Sequence, residues 1–411
     1  GSLRFKPPVP LTESTHRVSA NRWPNPCLQK DNHLVLNNYN FSEDCLYLNI
    51  WSAGALPLKG SPKPVVVHIH TGALVFGSAS ETTYNGVVLS AMGDLIVVAF
   101  NYRLNLYGFL YTGAHSIAPN AGMYDQMLAL QWIRQHIHHF GGDPSRVTLI
   151  GQSTGAQSVG FHILSPISSQ LFNNAVLISG SPLERRWLSA PDNAKQFWMT
   201  YAKDVECLGT EVSINAKVVN CLLKLNRNQL LSMTDIKRYT VDPFVVSAPV
   251  VFDQQFNSDL SLQVPTNGNI SLLFGYTDDE GSWAEKIANY YMNAIPVDRR
   301  GDHNLLSRTI GTALGDYYIS CPSHHFADYV LRNSHNCRVY QYYWTYKGDP
   351  KSSAFWRTFE EVWCGKWMGS CHSFELYAIF GIPFLQSIAF NEMDRRMSSK
   401  IITIVSQFAY N

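Results

Sequence analysis

The most informative stretch of the chain is Val147–Ala156, which reads VTLIGQSTGA. An apolar, β-branched run leads directly into Gly-x-Ser-x-Gly, and residues of helical period follow. A serine between a buried strand and a helix lies on a tight turn that lifts its hydroxyl above the sheet. Gly151 and Gly155 leave room for this turn, because a Cβ at either position would collide with neighbouring backbone. The pattern predicts that Ser153 is a nucleophile, whereas the alternative is an ordinary turn whose serine caps the helix.

Runs similar to the one before Ser153 recur on both sides of it. They are short, β-branched and bounded by turn residues, as expected of strands buried on both faces. Between them lie two segments of helical period, Tyr124–His139 and Gly155–Leu164. This alternation predicts an α/β fold with a mostly parallel central sheet and helices on both faces. The predicted strands are Pro64–His70, Leu95–Asn101, Val147–Gly151 and Ala175–Ser179.

The chain reads as a single domain over residues 1–411. It contains no internal repeat, low-complexity tract or charge block. Residues 191–238 have helical composition with few strand-like runs, which predicts a helical insertion or cap over the carboxyl edge of the sheet. Folds of this class bind ligands at that edge.

The composition excludes several functional classes. The 32 Lys and Arg against 31 Asp and Glu give a net charge of +1, which leaves no electrostatic footprint for nucleic acid. Apolar residues make up 45% and charged residues 15%, so the chain is expected to be globular rather than disordered. No CxxC pair or phosphate-binding glycine loop occurs, and His138–His139 and His324–His325 lack flanking ligands. We therefore expect neither a metal nor a cofactor.

The ends of the sequence and its cysteines bear on location. The sequence begins at Gly1 without an initiator Met and contains no run of about 18 apolar residues, so we expect a mature, trimmed or fragmentary chain. Eight cysteines and two N-glycosylation sequons, at Asn40 and Asn269, favour an oxidising compartment. The protein is predicted to be secreted or to lie on the extracellular face of a membrane.

Further motifs lie along the chain at Glu43–Trp51 (EDCLYLNIW), Asn101–Leu104 (NYRL), Asn120–Gln126 (NAGMYDQ) and Phe140–Pro144 (FGGDP). In this order they resemble the signatures of the type-B carboxylesterase and cholinesterase family, whose members have the α/β-hydrolase fold. The resemblance covers nearly the whole chain. It begins part-way into the family pattern, at Leu3–Phe5, and stops at Phe408–Asn411, which implies a domain truncated at both ends.

The resemblance implies a catalytic site made of three side chains. Ser153 matches the family nucleophile, Glu280 matches the acid, and His372 matches the base. In the implied mechanism His372 takes the Ser153 proton as the hydroxyl attacks an ester carbonyl, and Glu280 holds the imidazole tautomer. Water then hydrolyses the acyl-enzyme. Composition alone could not select these residues, because the chain has 14 His and 31 acidic residues.

The implied oxyanion hole departs from the family pattern. By position it consists of the backbone N–H groups of Gly72, Ala73 and Thr154. The family has three consecutive glycines followed by an aromatic residue, whereas this chain has Gly72, Ala73 and Leu74 after Thr71. A residue other than glycine costs about 1–2 kcal/mol where φ must be positive. The larger Thr154 is expected to narrow the acyl site, and a plain turn at the strand end is the alternative for this loop.

Other departures concern the substrate. Gln152 replaces the Glu that usually precedes the nucleophile, which removes a buried negative charge. The segment between Cys27 and Cys45 contains no Trp, so the cation–π platform for choline has no counterpart there. We therefore expect a small neutral, apolar ester as substrate and not acetylcholine. Trp187 resembles the aromatic lining of the family's acyl pocket, with a core tryptophan as an equal alternative.

The resemblance also implies two disulfides, Cys27–Cys45 and Cys207–Cys221. By closing its loop, each disulfide stabilises the fold by about 3 kcal/mol in the chain-entropy model. By elimination, Cys321 would pair with Cys337, and Cys364 with Cys371.

Three functions remain open at this point. The first is a carboxylic ester hydrolase, which is favoured because Ser153, Glu280 and His372 are all present. The second is a catalytically weak or inactive cholinesterase-like adhesion or binding module with a protein partner. The third is an enzyme similar to insect juvenile hormone esterases, since Gly-Gln-Ser-x-Gly and the run Gly369–Glu375 also resemble their signatures.

Overall fold

The computed structural model describes most of the chain. The described residues are 3–11, 19–29, 40–54, 60–113, 117, 119–184, 191–230, 256, 270–278, 280, 303–334, 336–348, 355–356, 364 and 368–411.

Within these residues, seven strands form one sheet in the order β1-β3-β2-β4-β5-β6-β7. β1 lies at one edge and is antiparallel to β3, and all other neighbours are parallel. The predicted α/β fold with a mostly parallel sheet is thus confirmed. The strands are β1 (Leu48–Ser52), β2 (Lys63–Ile69), β3 (Ile96–Phe100), β4 (Gly142–Gln152), β5 (Asn174–Ile178), β6 (Ser271–Thr277) and β7 (Val339–Trp344).

The central strands are rich in buried apolar residues because both of their faces are covered. Every residue of β3 and β5 is buried. Val65, Val67 and Ile69 of β2 belong to one hydrophobic cluster, whereas Val66 belongs to a second. Side chains of a strand alternate between its faces, so the two clusters are the two sides of the sheet.

Helices pack on both faces, as the sequence predicts. Residues of α3 and α4 lie in the first cluster, and residues of α1 and α12 lie in the second. At the start of α12, Asn391 and Asp394 form a reciprocal capping box that satisfies exposed N–H groups of the first turn. The helices are α1 (Val87–Gly93), α2 (Asn105–Phe109), α3 (Ala121–His136), α4 (Thr154–Leu164), α5 (Pro191–Asp204), α6 (Ala216–Lys224), α7 (Arg227–Leu230), α8 (His303–Gly315), α9 (Cys321–Asn333), α10 (Phe374–Ile379), α11 (Ile382–Leu385) and α12 (Glu392–Tyr410).

The predicted helical insertion is described in part. Residues 191–230 contain α5, α6 and α7, as the composition indicates. Residues 231–238 lie outside the described residues. The predicted helix Tyr124–His139 corresponds to α3 and a following turn of 3₁₀ helix, Ile137–Phe140.

The structure contains three disulfides, Cys27–Cys45, Cys207–Cys221 and Cys364–Cys371. The pairing of Cys321 with Cys337 is wrong, because both thiols are free. Cys321 is the first residue of α9, and Cys337 lies four residues after the last. Pairing by elimination assumes that every cysteine forms a disulfide, which these two do not.

Candidate active site

Ser153 is the residue that joins β4 to α4. Its backbone has φ 54° and ψ −120°, a conformation that side-chain-bearing residues rarely adopt. The Ser153 N–H donates to Ile178 O of β5 at 2.9 Å, and Ser153 O accepts from Gln157 N of α4 at 2.9 Å. The strained turn is therefore held on one side by the sheet and on the other by the helix, as expected of a nucleophile elbow.

The glycines on either side of the elbow are required by space. A Cβ on Gly151 would lie 2.3 Å from the carbonyl carbon of Gly155. A Cβ on Gly155 would lie 2.3 Å from the carbonyl oxygen of Ile69, at the end of β2. Both obstacles are backbone atoms of a packed sheet and helix, which cannot move aside cheaply.

His372 and Glu280 are in direct contact. Glu280 lies just after β6 and His372 just before α10, and His372 Nδ1 donates to Glu280 Oε2 at 2.5 Å. The other carboxylate oxygen accepts from Thr277 N at 2.6 Å, and Glu280 is 3% exposed. A buried carboxylate on Nδ1 fixes the proton there and leaves a lone pair on Nε2.

The Nε2 atom of His372 faces the elbow. It lies 2.9 Å from Nε2 of Gln152, the residue that precedes Ser153. The ring thus contacts Glu280 on one side and the neighbour of Ser153 on the other. Across the described residues, no hydrogen bond joins Ser153 Oγ to this ring.

The predicted oxyanion loop follows β2 and is strongly curved. The φ angles of Gly72, Ala73 and Leu74 are 116°, 56° and 59°. The N–H groups of Val75 and Phe76 both donate to Gly72 O, which closes the turn. Sequence reasoning allowed for a positive φ at Ala73 but did not find the second strained residue, Leu74.

The N–H groups proposed for the oxyanion make no other hydrogen bond within the described residues. Among the hydrogen bonds of the described residues, none has the backbone N–H of Gly72, Ala73 or Thr154 as its donor. Thr154 is fully buried at the first position of α4, where an N–H has no partner within the helix. These donors are consequently available to a ligand oxygen.

Glu375 is a functional candidate to which sequence reasoning gave no role. It lies in α10, is fully buried, and its Oε1 accepts from Ser179 Oγ at 2.5 Å. Burial, followed by the nearby charge of Glu280, raises the pKa of Glu375 to about 8. A proton on this carboxyl at neutral pH keeps a second negative charge away from Glu280. The signal was its place three residues after His372, within the run Gly369–Glu375.

Other predicted positions have mixed outcomes. Asn40 is exposed, as a glycosylation acceptor must be. Trp187 and Asn269 lie outside the described residues. In the described part of the chain, no group of three or more His, Cys, Asp or Glu could hold a metal ion. A search of the same residues finds no helix that is long and apolar enough to span a membrane.

Comparison with known proteins agrees with this fold. The sequence model of the carboxylesterase family matches residues 1–289 and 282–411, and the chain belongs to this family. It is 28% identical to the acetylcholinesterase of Leptinotarsa decemlineata, over 99% of this chain and 72% of that protein. It is 30% identical to acetylcholinesterase 4 of Caenorhabditis briggsae, over 100% of this chain and 75% of that protein. Cholinesterase 1 of Branchiostoma lanceolatum is 38% identical over 59% of this chain and 68% of that protein.

Proposed function

We propose that the chain is a serine hydrolase that cleaves carboxylic esters through an acyl-enzyme on Ser153. The observation that carries this proposal is the 2.5 Å contact between His372 and Glu280 beside the nucleophile elbow. Membership of the carboxylesterase family supports an ester hydrolase in general terms.

The proposed reaction has two steps. In the first, Ser153 Oγ attacks the ester carbonyl while its proton passes to Nε2 of His372, which then protonates the leaving alcohol. In the second, a water oxygen attacks the acyl carbon while the same nitrogen takes a proton from the water, and this proton returns to Ser153 Oγ as the bond between the acyl carbon and Oγ breaks. Glu280 stabilises the imidazolium in both steps through the Nδ1 hydrogen bond.

The oxyanion of each intermediate is proposed to lie against the N–H groups of Gly72, Ala73 and Thr154. These donors belong to backbone, so the substitution of glycine by Ala73 leaves the hydrogen-bonding group in place. Loss of one such donor lowers a rate by roughly 10²- to 10³-fold. Retention of all three supports a working enzyme.

The proposed substrates are neutral, apolar esters. Gln152 is fully buried and uncharged where the family pattern has a carboxylate, so the site offers a cationic choline group less attraction. Several relatives are named acetylcholinesterases, which makes acetylcholine the comparison substrate for the test. The three disulfides support an oxidising, extracellular location for this reaction.

A second candidate is a weakly active binding module. The occupied Nε2 of His372 favours it, since Ser153 makes no hydrogen bond to the ring among the described residues. In this case the pocket would hold an ester or a protein partner without rapid turnover.

The test is covalent labelling with diethyl 4-nitrophenyl phosphate, followed by peptide mass mapping and ester assays. We expect an adduct on Ser153, and hydrolysis of 4-nitrophenyl butyrate that exceeds hydrolysis of acetylthiocholine. Ser153→Ala should lower the butyrate turnover by at least roughly 10³-fold. Ser158→Ala is the matched control, because this buried serine donates to Thr154 O within α4. An unlabelled protein whose turnover is the same in both variants favours the binding module.

A further inference from the structure

The side-chain amide of Gln152 forms a hydrogen bond with Nε2 of His372, the nitrogen that must accept the proton of Ser153. Its Nε2 lies 2.9 Å from Nε2 of His372, and Nδ1 of the same ring donates to Glu280. With the ring proton on Nδ1, the other nitrogen carries a single in-plane lone pair and is an acceptor. The amide N–H of Gln152 therefore donates to it.

This hydrogen bond and proton transfer from Ser153 exclude each other. When Ser153 Oγ bonds to a carbonyl carbon or phosphorus, its O–H bond breaks and the proton goes to the lone pair on His372 Nε2. The leaving alkoxide or aryloxide departs with the electron pair of the bond that breaks. While the Gln152 amide holds that lone pair, the proton has no acceptor.

Stability does not explain an amide at this position. Gln152 is the last residue of β4 and is fully buried. Its Oε1 is buried and has no hydrogen-bond partner, a costly state for a carbonyl oxygen. Within the described part of the chain, the contact with His372 is the one hydrogen bond of this side chain. An apolar side chain of the same length would avoid the unsatisfied oxygen.

We propose that Gln152 is a positioning residue that holds His372 in a resting state, so that acylation of Ser153 requires this hydrogen bond to break first. The proposal rests on the proposed function of the same site. It explains why His372 is oriented by Glu280 but, among the described residues, makes its other hydrogen bond to Gln152 and not to Ser153.

The experiment compares the wild-type chain with Gln152→Met, which keeps the length of the side chain and removes its N–H donor. Diethyl 4-nitrophenyl phosphate is the probe, and the release of 4-nitrophenolate gives the limiting rate of phosphorylation, kinact, and the half-saturating concentration, KI. We expect kinact to rise by roughly 2- to 10-fold, the effect of one hydrogen bond, while KI stays unchanged. A structural defect would lower the rate and does not produce this result.

The matched control is Gln157→Met, because Gln157 is a buried glutamine of α4 whose amide has no hydrogen-bond partner. Its kinact should equal that of the wild type. Gln152→Glu is the second variant and stands in for Gln152→Met if that chain does not fold. A carboxylate offers no N–H to the ring, so its kinact at mildly alkaline pH should also exceed the wild-type value.

The outcomes separate the two proposals. A wild-type chain that is labelled on Ser153 as fast as, or faster than, both Gln152 variants overturns the role of Gln152 and leaves the proposed function standing. Failure of every chain to form the adduct overturns the proposed function and this inference together. Labelling of the Gln152 variants alone supports the inference in its strongest form.

Discussion

The nucleophile elbow and the oxyanion loop are both tight turns after a strand, but they differ in where they use glycine. Both follow the carboxyl ends of strands that pair with each other, since Ile69 of β2 is in register with Gly151 of β4. Both also contain residues with positive φ other than glycine. The elbow keeps the two glycines of its motif, whereas the loop keeps one glycine and places Ala73 and Leu74 beside it.

The difference lies in whether space or dihedral angle is limiting. Gly72 has φ 116°, and a Cβ there would lie 2.0 Å from Phe76 O. Ala73 and Leu74 have φ of 56° and 59°, in the left-handed helical region that other residues reach at a cost of about 1–2 kcal/mol. Glycine is retained where a side chain has no room and is replaced where strain alone opposes a side chain.

The variant with the largest expected effect on stability is Gly155→Ala. Its Cβ would meet Ile69 O at 2.3 Å between a strand and a helix, so we expect a loss of more than about 3 kcal/mol in the free energy of unfolding. Gly209→Ala is the control, because Gly209 has φ 56° with open space around its Cβ position. It should cost about 1 kcal/mol. Urea unfolding measures both, and equal losses would contradict the view that lack of space explains the retained glycine at position 155.

A smaller effect concerns Glu81, which lies after the oxyanion loop and whose Oε1 accepts from Ser78 N at 3.0 Å. Burial raises the pKa of Glu81 from 4.5 to about 8. The folded chain therefore keeps a proton that the unfolded chain has released, and the free energy of unfolding falls as pH rises through this window. We expect Glu81→Gln to reduce that slope by about 1.4 kcal/mol per pH unit.

Comparison of urea unfolding of the two chains between pH 6.5 and pH 8 measures this slope, because the buried histidines, whose pKa values burial lowers, contribute equally to wild type and variant. Glu375 contributes a slope of the same sign, so the Gln variant retains part of the dependence. Glu392→Gln is the control, because the Glu392 side chain is 64% exposed. Identical slopes in wild type and Glu81→Gln would contradict a protonated Glu81 carboxyl in the folded chain.

The smallest expected effect is a gain in stability from Ala73→Gly. Relief of left-handed strain outweighs the added chain entropy by about 0.5–1 kcal/mol. Leu74→Gly should have the opposite sign, with a net loss of about 1–3 kcal/mol, because Leu74 is 1% exposed and its burial offsets the strain. Thermal unfolding of both variants checks the pair. A loss of stability in Ala73→Gly would show that the loop is not strained there.

The sequence predicts what local interactions determine. The strands β2, β3 and β5 lie within one residue of their predicted ends, because β-branched runs bounded by turns specify buried strands. The strand-turn-helix around Ser153 is equally local. β4 begins at Gly142, five positions before its predicted start, since Lys63 on the neighbouring strand pairs with that residue.

Contacts between distant residues could not be read from composition or spacing. Glu280 and His372 are 92 positions apart and were identified through the resemblance to a family. The bond between Gln152 and His372 joins residues 220 positions apart and depends on one side-chain rotamer, for which the sequence holds no signal. The antiparallel edge strand β1 and the free thiols of Cys321 and Cys337 depend likewise on tertiary packing.

Both oxygens of Glu280 already have partners, one in the backbone of Thr277 and one in the ring of His372. The carboxylate is thus oriented when the chain folds, and formation of the imidazolium requires no reorganisation of solvent around it. Electrostatic preorganisation of this kind places the stabilising dipole before the charge appears. The rate of the proposed reaction then depends on how rigidly the end of β6 is held. Substitutions of residues that pack against this strand should therefore change the turnover rate, although these residues do not contact the substrate.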